Sequence, residues 1–240
     1  MPFFHTAPSP FNMIGSVDGI AALRDNIAAV EERMARASAR AGRDRATVKL
    51  LAVTKIFPAE VILEGYAAGL REFGENYVQE METKAASVAG LEGARFHLIG
   101  HLQSNKTRKA SQLFQSIDSL DSAKLATRLN AEAAPLDIMI EVKLSREDAK
   151  TGASEDELPQ IVETVRRASS LRLCGLMTVP PWSEDAELSR PYFARLRELA
   201  ARYQVPELSM GMSNDMEVAI EEGATWVRVG TALFGRRKKP

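Results

Sequence analysis

The sequence predicts an α/β protein built as a single (β/α)8 barrel of the TIM type, with one extra helix ahead of the first strand. Three observations carry that expectation. About eight short apolar or β-branched runs recur along the chain, and each but the last is followed by a helical segment. A length of 240 residues suits one closed barrel. No Gly-x-Gly-x-x-Gly follows the first strand, which counts against a dinucleotide-binding version of the runner-up, a doubly wound open sheet.

Residues 1–15 contain Pro2, Pro8 and Pro10 and read as a loose leader, without the charged and apolar regions of a secretory signal. The barrel is expected over 16–236 and a short basic tail over 237–240. Val17 to Ala41 carries Ile20, Leu23, Ile27, Val30 and Met34 at three- and four-residue spacing, an amphipathic helix that Gly42 ends. Leu50 to Thr54 is a buried parallel strand closed by Lys55 and the turn signal Pro58. A helix over 59–68, a strand over Arg71 to Glu75 and a helix from Tyr77 to Val88 follow. Arg95 to Ile99 is a strand, Asn105 to Ser111 a short helix, Leu113 to Ile117 a strand, and Ser122 to Ala134 a helix with Ser122 able to cap it.

The alternation continues with a strand over Leu136 to Val142 and a polar loop over 145–156. Leu158 to Ala168 is helical, with Pro159 tolerated in its first turn. Leu171 to Met177 is a strand, and the loop after it holds Pro180-Pro181. Glu187 to Tyr203 is a long helix expected to bury Leu188, Phe193, Leu196 and Leu199. Glu207 to Met210 is a strand, Asp215 to Glu222 a helix, and Thr225 to Val229 the last strand.

Hydrophobic residues make up 45% and charged residues 26%, the balance of a folded soluble protein rather than a disordered one. A net charge of −1 gives no electrostatic reason to expect nucleic acid or an anionic membrane as partner. No segment reaches the roughly 18 to 20 apolar residues that span a bilayer. The single cysteine, Cys174, excludes a disulfide framework and favours the cytoplasm; it is expected to be an inert core residue. His97 and His101 are four apart on a strand and turn, where they diverge, so no metal site is expected.

In a barrel of this kind the site lies at the carboxyl ends of the strands. Lys55 stands at the first of them, and burial there would lower its pKa and free the amine to attack a carbonyl; alternatively it snorkels into solvent. The run Ser209-Met210-Gly211-Met212-Ser213 and the pair Gly230-Thr231 follow strands seven and eight, where barrels frequently hold phosphate. Arg228, two residues before Gly230, points to the same side and needs either a structural partner or a ligand. A lysine amine, a phosphate cradle and an inward arginine fit a sugar phosphate held as a Schiff base, as in an aldolase, or pyridoxal phosphate.

Longer motifs sharpen the choice. Leu51-Ala52-Val53-Thr54-Lys55, Phe73-Gly74-Glu75-Asn76-Tyr77-Val78-Gln79-Glu80, His97 to Lys106, Gly175-Leu176-Met177, Leu208 to Ser213 and Val227 to Gly235 occur in the order of one family. From about Leu23 to Arg236 the chain resembles the pyridoxal phosphate homeostasis proteins, also called the proline synthetase co-transcribed family. The resemblance implies a barrel like the amino-terminal domain of alanine racemase. It places Lys55 on the Schiff-base lysine, Arg228 near the pyridine nitrogen, Ser209, Ser213, Gly230 and Thr231 on phosphate-binding segments, and Asn76 and Met177 in the cofactor pocket. It implies a carrier or regulator of the vitamin B6 pool, a monomer, with pyridoxal 5'-phosphate as cofactor and apo-enzymes as recipients; the alternative is a weak racemase-like enzyme. Racemisation needs an acid/base group on each face of the substrate, and the chain's end at Pro240 leaves no room for the racemase's second domain, which favours the carrier. Phe57 stands where bacterial relatives often carry a second lysine, Lys143 where asparagine is usual, and Lys150 matches a lysine of the family pattern.

Overall fold

Period-two alternation decides which side chains of each strand face the barrel interior. In β1 (Lys49–Val53), Ala52 and the half-buried Leu50 join the large apolar layer between strands and helices, whereas Leu51 belongs to a small cluster with Met139, Met177 and Trp226. The computed structural model, which describes residues 17–145 and 151–235, closes β1 and seven further strands into one parallel barrel in sequence order. They are β2 (Glu72–Glu75), β3 (Arg95–Leu98), β4 (Ser116–Leu120), β5 (Leu136–Glu141), β6 (Leu171–Met177), β7 (Glu207–Met212) and β8 (Trp226–Val229). β8 returns to β1 in register, Lys49 opposite Trp226 and Ala52 opposite Val229, so the sheet has no exposed edge.

Helices alternate with the strands: α1 (Val17–Arg40), α2 (Ala59–Ala67), α3 (Val78–Val88), α4 (Thr107–Leu113), α5 (Ala123–Ala131), α6 (Leu158–Arg167), α7 (Arg190–Tyr203), α8 (Met216–Glu221) and the single turn α9 (Thr231–Phe234). The Ser122 hydroxyl caps α5 by accepting from the Leu125 N–H at 3.3 Å, and Pro159 sits in the first turn of α6. The predicted barrel and its preceding helix are therefore present. The expected leader, Lys150 and the basic tail lie outside the described residues.

Three local expectations need correction. The fourth strand is Ser116–Leu120 rather than Leu113 to Ile117, because Leu113 closes α4 and Phe114 is its buried cap. All five residues of β4 are buried although Ser116, Asp118 and Ser119 are polar, so no apolar run marked the strand. Leu188 is 61% exposed, because a 3₁₀ turn over Ala186–Ser189 precedes α7 and turns it away from the buried stripe of Phe193, Leu196 and Leu199. Cys174 is half-buried rather than a core residue: it is the extra residue where the β5–β6 register shifts between Ile138 and Met139. Burial, with Asp137 adding to it, pushes its thiol up to about 11, so it is a poor nucleophile.

Candidate functional site at the carboxyl-terminal mouth

A cavity of about 620 Å³ opens at the carboxyl ends of the strands, within the range of small-molecule sites. Lys55, Asn76, Ser213, Arg228, Gly230 and Thr231 all line it. Met177 and Ser209 do not share that wall, being fully buried inside the barrel. Asn76 is set by close backbone packing, for a Cβ at Gly100 would sit 2.3 Å from the Asn76 carbonyl oxygen.

Lys55 occupies a tight turn directly after β1. Phe57 N–H donates to the Thr54 carbonyl at 3.1 Å, and Ile56 has φ +69°. That is the geometry of a type II turn, whose third position normally takes glycine. A β-branched residue there costs about 1–3 kcal/mol and persists only where its surroundings hold it. They do: Ile56 N–H donates to Glu80 Oε1 at 2.5 Å. Lys84 Nζ, 5% exposed, donates to Glu80 Oε1 at 2.5 Å, to Glu75 Oε1 at 2.8 Å and to the Thr54 carbonyl at 3.1 Å. Burial raises the pKa of the enclosed Glu75 carboxyl, while Lys84 and Thr54 pull it down.

The two loops expected to hold an anion both reach the cavity. Gly211 has φ +88° and a Cβ there would lie 2.5 Å from Ala219 Cβ, so the β7–α8 turn requires glycine. The Asp215 carboxylate accepts from Met212 N–H at 2.7 Å and from the Ser189 hydroxyl at 2.9 Å, which fixes the turn. Ser213 does not cap α8; its hydroxyl accepts from Ala232 N–H at 3.4 Å and so ties the first loop to the start of α9. Ser213 and Thr231 both line the cavity, together with Asn214 and Gly230.

Arg228 is 4% exposed and donates to Ser209 Oγ at 2.8 Å and to the Thr178 carbonyl at 2.9 Å. Burial lowers its pKa, and Asp118, Asp215 and Glu141 act against that by their charge. Ser209 thus supports the arginine from beneath. Three further features were not singled out from the sequence. Glu141 lines the cavity, accepts from Thr151 Oγ1 at 3.2 Å, and has its pKa raised by burial. His101, weighed from the sequence only as a metal ligand, pairs there with Asp121 at 3.0 Å, and Trp182, 76% exposed, stands at the rim. The inward alternation of β5 places Glu141 there, a signal present in the sequence once the strand is fixed, whereas His101 sits in the loop after β3. His97 and His101 face opposite mouths, and among the described residues no three His, Cys, Asp or Glu gather as a metal site.

The side chains gathered here, an amine, a guanidinium and two hydroxyls, are ones that can meet a carbonyl and an anionic group. Comparison with known proteins points the same way. The family described as alanine racemase, N-terminal domain, matches residues 20–238. The pyridoxal phosphate homeostasis protein of Pseudomonas aeruginosa is 47% identical over 221 residues, covering 90% of this chain and 96% of its own. That of Aquifex aeolicus is 42% identical over 224 residues, covering 89% and 98%. PipY of Synechococcus elongatus, solved with PLP bound, superposes with a TM-score of 0.76 at 40% identity, over 86% of this chain and all of its own. An alanine racemase of Clostridium difficile shares the fold, with a TM-score of 0.71 at 12% identity over 91% of this chain and 58% of its own.

Proposed function

Because the chain belongs to the alanine racemase N-terminal domain family, and within it to the pyridoxal phosphate homeostasis proteins, we propose that it binds pyridoxal 5'-phosphate and serves vitamin B6 homeostasis as a carrier. The observation that carries the reading is the convergence of Lys55, Arg228, Ser213 and Thr231 on one cavity. The cofactor supplies an aldehyde, which condenses with an amine as water leaves, and an electron-withdrawing ring. Lys55 provides the amine for a Schiff base. Ser213, Thr231 and the N–H groups of Gly230 and Thr231 hold the phosphate.

Arg228 would take the ring nitrogen of the bound cofactor. A guanidinium has only donors and keeps its proton, so a nitrogen beside it stays unprotonated and the ring remains a weak electron sink. That arrangement favours storage and delivery to apo-enzymes over racemisation. Weak racemase-like exchange is the alternative, and it is read directly as loss of the α-proton of added amino acids in deuterated water. Among the described residues no helix is long and apolar enough to cross a membrane.

The test is a spectrum of the purified protein with added cofactor, before and after borohydride, followed by peptide mapping. We expect absorption near the visible that borohydride bleaches, with the adduct on the Lys55 peptide and none in Lys55→Ala, whose melting temperature stays at the wild-type value. A sugar-phosphate aldolase would give no chromophore. An adduct of full stoichiometry on another peptide, Lys150 being the first to inspect, would move the attachment site.

A further inference from the structure

Lys84 lies on α3 and is not part of the cavity lining. Its ammonium is saturated: three donors go to the Thr54 carbonyl at 3.1 Å, Glu75 Oε1 at 2.8 Å and Glu80 Oε1 at 2.5 Å. The Thr54 carbonyl belongs to the peptide group that precedes Lys55. The Ile56 N–H, which donates to Glu80 Oε1 at 2.5 Å, belongs to the peptide group that follows it. Both peptide groups flanking Lys55 are therefore gripped through one buried cation. The Thr54 hydroxyl adds a third tie, donating to Glu75 Oε1 at 2.6 Å. Lys55 stands between the two gripped groups, and directly after the second comes the strained residue, Ile56 at φ +69°. Relaxing that turn would swing the Lys55 side chain relative to β1.

We propose that Lys84, acting through Glu75 and Glu80, is a positioning residue that holds the turn at Lys55 and Ile56 and aims the Lys55 amine into the cavity. The proposal rests on the reading of Lys55 as the cofactor's lysine. The same network explains how an isoleucine is tolerated where a type II turn takes glycine. It also makes a distinctive demand. If Lys84 serves to hold a strained turn, a glycine at position 56 should make it dispensable, because glycine adopts that φ without cost.

The experiment compares Lys84→Met and Glu80→Ala, each with and without Ile56→Gly. Two rates are measured: capture of pyridoxal phosphate as a borohydride-fixed adduct, and reductive methylation of Lys55 by formaldehyde in cofactor-free protein, with exposed Lys124 as internal reference. Capture at Lys55 should slow by roughly 10- to 100-fold in both single variants, the range expected when a reacting group is displaced by about an ångström. Methylation of Lys55 should change against Lys124, and Ile56→Gly should return both rates close to wild type. A folded single variant with wild-type rates overturns the proposal. So does slowed capture that Ile56→Gly leaves slow, since Lys84 would then be a structural ion-pair partner only. If Lys84→Met fails to fold, Glu80→Ala decides alone, because it leaves the Lys84–Glu75 pair intact. A wild-type protein that captures no cofactor would defeat the functional reading, while methylation of Lys55 would still test the positioning.

Discussion

Arg228 is enclosed, yet its two hydrogen bonds go to a hydroxyl and a backbone carbonyl rather than to a carboxylate. Its charge is balanced at longer range by Asp118 on β4, Glu141 on β5 and Asp215 before α8. Removing that positive charge leaves buried carboxylates uncompensated, a change that costs about 3–5 kcal/mol. Arg228→Asp adds a further acid to the group, so we expect it to lower the urea midpoint of the cofactor-free protein by that order, and Arg228→Gln to lower it less. An Arg228→Asp protein as stable as wild type would show that these acids do not depend on Arg228. The inward direction of Arg228 was legible, because Gly230 lies two residues on along a strand. Its partners were not, since neither the Ser209 hydroxyl nor the Thr178 carbonyl is marked by any pattern. Ser209 was reached through its place at the end of strand seven, and both it and Met177 through motif positions, neither of which says which side chains stop short of the cavity wall.

At the scale of elements, the piece outside the barrel repeat is the one that braces the anion loops. Arg33 of α1 donates to the Ser213 carbonyl at 2.9 Å and forks onto Glu217 at 2.7 and 2.9 Å. Asn26 of the same helix donates to the Leu233 carbonyl at 2.8 Å, and Arg43 just beyond it to that of Ile220 at 2.7 Å. One helix thus holds the loop after β7 and the turn after β8 together from outside. Losing one such bond is worth about 1 kcal/mol, so Arg33→Ala should weaken retention of pyridoxal phosphate by roughly five-fold. Equilibrium dialysis checks this, and unchanged retention would show that the loops hold their shape without α1. The amphipathic spacing of α1 was plain in the sequence, but its bracing role was not, because its partners lie some 180 residues away. β4 was misplaced for a related reason. Its inward polar side chains, Ser116 and Asp118, are satisfied by one another and by His97, and only the folded barrel shows that pairing.

Seen whole, the barrel has two polar mouths separated by the apolar plug of Leu51, Met139, Met177 and Trp226, with Ile99 against it. The carboxyl-terminal mouth carries the proposed cofactor site. At the other, the strand starts form a ring of charge pairs: Lys49 with Glu207 at 3.1 Å, and Asp137 with Arg95 at 2.8 Å and Arg172 at 2.7 Å. Each member comes from a different strand, so spacing along the chain could not announce the ring. Inside it His97, 3% exposed, meets Glu72 at 2.9 Å and Asp118 at 3.1 Å and tilts against the Trp226 ring at 5.0 Å. Burial alone would lower its pKa, but Asp118 and then Glu72 outweigh it and hold the imidazole at about 9. The unfolded chain releases this proton near pH 6.5 or so, whereas the folded chain keeps it. Between those values the native state binds more protons, so stability must fall as pH rises. The contribution is complete below about pH 6.5 and is lost as pH passes the folded value, a span worth on the order of 3 kcal/mol. We therefore expect the wild-type melting temperature to decline steadily from pH 7 to above pH 9. His97→Gln should start lower, with Glu72 and Asp118 left facing each other, and stay nearly flat over the same interval. A wild-type curve as flat as the variant's would mean that His97 holds no extra proton in the fold, and that the two carboxylates are satisfied by other groups of the ring.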